Sequence, residues 1–166
     1  MLRKFLLLFI FIPVIVYANQ SLENDLKLAN IGNSGAAFRI GARYLNGEGV
    51  EQDYEKAKYW LEIAADKNHS HALYDLGYMY LYGIGVEKDY RMAYDYFERS
   101  KDVGFVPAYF IIGLMYYDGA GVKQNDKKAY EYCKTAIERG YKTNNIILDH
   151  KNKKIVIKQE TEQTDK

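Results

Sequence analysis

The chain has 166 residues, with 23 lysines and arginines against 22 aspartates and glutamates, one cysteine and 17 tyrosines. That length suits one domain with a sizeable core. The near-neutral balance leaves no electrostatic footprint for nucleic acid or an anionic membrane surface, and a single cysteine excludes an internal disulfide framework.

In chain order, residues 1–18 come first and have the three-part layout of a secretory signal peptide. Arg3 and Lys4 precede the apolar run Phe5–Val16, and Val16-Tyr17-Ala18 supplies small residues for a cut after Ala18. The run is about a dozen residues, short of the roughly 20 that a bilayer span needs. The expectation is an exported protein, periplasmic or secreted, with no stable membrane span after cleavage. Without Arg3 and Lys4, 21 basic residues remain against the 22 acidic ones.

The rest of the chain repeats itself. A shift of 36 residues aligns Ala36, Ala72 and Ala108, then Gly41, Gly77 and Gly113, then Tyr44, Tyr80 and Tyr116. A glycine pair follows each time, at Gly47/Gly49, Gly83/Gly85 and Gly119/Gly121, and then Asp53, Asp89 and Asn125. Each unit reads as two helices: Ala36–Leu45, Ala72–Tyr82 and Ala108–Tyr117 first, then Tyr54–Asp66, Tyr90–Asp102 and Asp126–Arg139. Asp53, Asp89 and Asn125 stand at the N-cap of the second helix. Gly104 and Gly140 stand where a C-cap glycine belongs, with Asn68 as their equivalent. The glycine pair lacks the Gly-Lys-Ser/Thr ending of a phosphate loop and reads as a turn. Gly41, Gly77 and Gly113 lie inside helices, where glycine costs about 1 kcal/mol against alanine; close approach of a neighbouring helix is the expected gain.

The three units are drawn at 36–71, 72–107 and 108–143. Residues 19–35 are expected to form a capping helix from a partial leading repeat. Residues 144–166 read as a charged, solvated tail, with a further capping helix expected to begin at Ile146–Leu148 and Ile155–Ile157 as the only apolar patch in the remainder.

This pattern resembles the Sel-1-like repeat, a relative of the tetratricopeptide repeat. Ala72, Leu76-Gly77, Tyr80, Gly83, Gly85-Val86, Asp89, Ala93 and Tyr96 carry the signature, and the third unit departs with Ile112 and Asn125. The resemblance implies an all-α, right-handed solenoid of helix pairs whose first helices line a concave face, used for protein–protein interaction. A cysteine-rich branch of the family is linked to penicillin binding and β-lactamase activity. Cys133 stands alone at a position shared with Leu61 and Phe97, so neither that disulfide pattern nor that activity carries over.

The first helices are apolar on two sides. Leu76, Gly77 and Tyr80 face the second helix, and Tyr74, Tyr78 and Leu81 lie opposite with Tyr82 beside them. Their equivalents are Phe38, Ala42 and Leu45, then Phe110, Leu114 and Tyr117. Phe38, Tyr74 and Phe110 are expected to stack as an aromatic ladder. Phe38, Leu45, Tyr74, Tyr78, Tyr82, Phe110, Leu114 and Tyr117 are therefore the candidate partner-binding residues, on a monomer that takes a protein or an extended peptide; the same residues could instead pack between repeats. Alternative readings are an immunity-type protein that neutralises a toxin, a glycan binder and, last, a β-lactam-active enzyme. His69 and His71 with Asp66 match no strong metal motif and read as a solvated turn. Cys133 reads as a small buried hydrophobe, and Lys58 with Glu62 as a solvated i,i+4 pair. No catalytic set, metal or cofactor is expected.

Overall fold

The computed structural model describes residues 21–144 and 146–157; the expected signal peptide and residues 158–166 lie outside them. Among the described residues there are seven helices: α1 over residues 21–30, α2 Ser34–Asn46, α3 Tyr54–Ala65, α4 Ser70–Tyr82, α5 Tyr90–Asp102, α6 Val106–Asp118 and α7 Asp126–Glu138. Pairs α2–α3, α4–α5 and α6–α7 pack internally, and successive pairs join through α3–α4 and α5–α6. The chain is an α-solenoid of helix pairs, as the repeat implies.

The first helices begin two residues before the expected alanines, because their caps sit at Asn33, His69 and Phe105. Asn33 Oδ1 accepts the Ala36 N–H at 2.8 Å, and His69 Nδ1 accepts that of Ala72 at 3.4 Å. Phe105 offers no cap, but Pro107 in the first turn has no N–H to satisfy. The second helices start behind the expected caps: Asp53, Asp89 and Asn125 accept N–H groups of the first turn at 2.9–3.0 Å. Each cap residue's own N–H returns to the carbonyl of Tyr44, Tyr80 or Tyr116 and closes the turn. Within that turn Gly83 and Gly85 are both left-handed, at φ 74° and 65°, a conformation that strains a residue with a Cβ. A Cβ on Gly85 would also collide with Tyr54 of the preceding pair, so the turn seats one repeat on the last.

Helix glycines Gly41, Gly77 and Gly113 have the expected role. A Cβ there would stand 2.8 Å from Leu61, 2.7 Å from Phe97 and 2.5 Å from Cys133. These three partners are themselves 36 residues apart and fully buried. Cys133 is thus the third knob of this series, and burial pushes its thiol up to about 12.

Among the described residues the core falls into two clusters. The first gathers Ile40, Leu61, Leu73, Leu76 and Met79, and the second gathers Phe97, Ile112, Met115 and Cys133. The middle repeat is divided between them: the buried apolar residues of α4 belong to the first and those of α5 to the second, while Tyr74, Tyr78 and Leu81 of α4 pack against the second.

Beyond α7 the chain departs from expectation. Ile146–Leu148 does not begin a helix: β1 Ile146–Asp149 pairs antiparallel with β2 Lys154–Ile157, in the register Ile146↔Ile157 and Leu148↔Ile155. The β-branched run favours a strand. Asp149 Oδ1 accepts the N–H groups of Lys151 and Asn152 at 3.0 Å, an Asx-type turn that reverses the chain. Ile146 and Ile155 are buried against the second cluster, so this part of the expected tail is a packed cap. The Tyr130 hydroxyl and His150 Nδ1, 2.8 Å apart, tie the turn to α7, and the Lys154–Asp126 ion pair at 3.1 Å ties β2 to it. No helix among the described residues is long and apolar enough to cross a membrane.

Candidate interaction face

The aromatic residues of the first helices are bridged through the next repeat. Phe38 stacks on His69 at 4.6 Å, Tyr74 meets Phe105 edge-on at 4.9 Å, and Phe110 stacks on Tyr141 at 4.5 Å. His69 and Phe105 are the N-caps of the following first helices, and Tyr141 holds the same place in the 36-residue register. The expected ladder is therefore a set of contacts between successive repeats. Phe38 and Tyr74 remain half-buried. Phe110 is only 7% exposed beneath Tyr141, so its ring is core and not part of an accessible surface.

The accessible line lies one step round the helix. On α4 it runs His71, Asp75, Tyr78, Tyr82, spaced four, three and four residues so that they form one stripe. Tyr82 is 59% exposed, and its ring stacks on that of Tyr78 at 5.5 Å. Tyr78 accepts a hydrogen bond from the Tyr74 hydroxyl at 3.3 Å and leans edge-on against buried Phe97. Burial raises both phenols, so Tyr74 and Tyr78 are neutral and act as hydrogen-bond donors and acceptors. Between α4 and α6 opens a groove of about 440 Å³, bordered by Leu81, Tyr82, Tyr90, Ile111, Leu114 and Asp118. It brings together Tyr82 and Leu114, two of the residues singled out from sequence. Leu45 and Tyr117 are half-buried against the first and second core clusters, and their carbonyls accept from Gln52 and Gln124 at 2.8 Å.

Asp75 was not visible as a candidate from sequence, because its equivalents are Arg39 and Ile111 and the position looks variable. It is half-buried, and burial raises its carboxyl to about 6. Phe105 and Tyr141 were also missed, although their 36-residue spacing from His69 was available in the chain. His69 itself is a cap and a stacking partner. Burial, and then the charges of His71 and Arg39, hold it below the usual histidine range.

The Sel1 repeat profile matches residues 34–69, 70–105 and 106–141, each two residues ahead of the alanine-based boundaries. Among solved structures, a Sel1 repeat protein from Oxalobacter formigenes is 35% identical, with a TM-score of 0.67 over 73% of this chain and 91% of that one. A protective antigen present in uropathogenic Escherichia coli strains, displaying an SLR fold, is 31% identical with a TM-score of 0.70; 72% of this chain matches 26% of that protein. Helicobacter pylori cysteine rich protein B, 21% identical with a TM-score of 0.61 over 78% and 92% of the two chains, is a likeness of fold alone. No match was found among curated proteins.

Proposed function

The chain belongs to the Sel1 repeat family, whose members are in general protein–protein interaction modules rather than catalysts, and on that premise we propose that it is an exported adaptor which docks a partner protein or extended peptide on the face shared by α2, α4 and α6. The observation that carries this reading is the Tyr78–Tyr82 stack beside the α4–α6 groove. An exposed tyrosine stacked on a half-buried one, beside a groove bordered by Leu81, Ile111 and Leu114, is the kind of anchor that protein interfaces concentrate at their centres. Their hydroxyls can also bond the backbone of an extended segment. Export rests on the Arg3/Lys4, Phe5–Val16 and Ala18 pattern.

The test is cross-linked capture from the protein's own cell envelope, followed by reconstitution with the purified partner. A Tyr78→Ala/Tyr82→Ala variant, matched for folding by circular dichroism, serves as the control. The expected result is a defined partner that binds the protein directly, is lost with the double variant, and is recovered with a chain that starts at Asn19. Equal binding by both forms would move the docking surface away from this face.

A further inference from the structure

The composition of the accessible stripe points to the chemistry of the docked segment. Asp75 lies between His71 and Tyr78, one helical turn from each. Among the described residues no cationic side chain pairs with it. Arg39, which holds the same place one repeat earlier, is instead engaged by buried Asp25 at 2.5 Å. Lys88, at the border of the groove, lies over the Tyr90 ring at 5.8 Å. His71 Nδ1 is 3.3 Å from the Ser70 hydroxyl. On α6 the same stripe continues as Pro107, Ile111, Leu114 and Asp118, which adds a second carboxylate and no cation.

A half-buried carboxylate without a counter-charge is costly to keep ionised, and burial is the only cause of its raised pKa. The Tyr78 ring, one turn from Asp75, and the exposed Tyr82 ring stacked on it at 5.5 Å attract a cation through their ring quadrupoles. Carboxylate and rings therefore favour the same occupant.

We propose that Asp75, with the rings of Tyr78 and Tyr82, receives a lysine or arginine side chain of the docked segment, while Leu81, Ile111 and Leu114 take an apolar residue of the same segment. The inference rests on the reading of this face as the docking face. From Asp75 to Leu81 is about 9 Å along the helix, which an extended chain covers in about three residues. The segment is then a basic residue and an apolar residue about three positions apart.

Selection of displayed random heptapeptides on the purified protein tests this. The expected outcome is enrichment of lysine or arginine at one position with an apolar residue two to four places away. Affinity should fall tenfold or more in Asp75→Asn, and the peptide with its basic residue changed to glutamine should bind both proteins alike. Peptides that bind through Tyr78 and Tyr82 but lack a basic residue, or bind Asp75→Asn unchanged, would overturn the inference and leave the docking face standing. Selected peptides indifferent to Tyr78→Ala/Tyr82→Ala, or no selected peptide at all, would overturn both.

Discussion

Helices α2 and α6 hold the same place in their repeats and share the alanine and glycine positions, Ala36 with Ala108 and Gly41 with Gly113. Yet α2 buries only Ala36, Ala37, Ile40 and Gly41, whereas α6 also buries Phe110, Ile111, Met115 and Tyr116. The repeat template explains what the two have in common, which is the side facing their own second helix. What lies over the other side explains the difference. Phe38 is met by His69, a polar ring that also caps α4. Phe110 is met by Tyr141, and its cluster continues into the C-terminal hairpin through Ile146 and Ile155. The same rung is half surface at one end of the stack and core at the other.

The largest expected effect breaks the two ends apart. Phe110→Ala should cost about 3–5 kcal/mol, as for a buried phenylalanine elsewhere. Phe38→Ala should cost about 1–2 kcal/mol, because less apolar area leaves water there. Paired urea melts read both, and equal costs would show that the hairpin end is no more of a core than the other.

A smaller effect probes what the helices share. Gly77→Ala gains about 1 kcal/mol of helix propensity, but its methyl meets the buried Phe97 ring, and overpacking of about 1–3 kcal/mol should outweigh the gain. A variant more stable than wild type in a thermal melt would mean that Phe97 has room to move.

The last effect concerns Asp75 and has a defined sign. Its folded pKa, about 6, lies above the ordinary carboxylate value. The protonated form therefore favours the fold below about pH 4, and that contribution is lost as pH rises through about 6. Asp75→Asn should match wild type in stability at pH 4 and exceed it by about 1–2 kcal/mol at pH 8, after allowance for its partial exposure. A constant difference across that range would mean that the carboxylate is solvated.

The repeat was legible because each of its parts is a local or pairwise necessity. Helix caps at Asp53, Asp89 and Asn125, left-handed glycines in the turns, and glycines beneath Leu61, Phe97 and Cys133 recur wherever the same geometry recurs. The helix starts were two residues out because alanines marked the register, whereas the chain is capped by Asn33, His69 and Phe105. Of these only Asn33 is a strong capping residue by type. The C-terminal hairpin escaped because four-residue strands have no period long enough to read. Ile146 and Ile155 become strand residues by finding each other and the end of α7.

The sequence by itself thus determined the number of repeats, their turns and the knob-and-glycine packing within each pair, since these depend on residues within one unit. Only the tertiary structure decided which aromatic residues are surface and which are core, and that no cationic side chain among the described residues pairs with Asp75. Both depend on what the next repeat, or its absence, lays across a helix face, and no spacing within a unit carries that information.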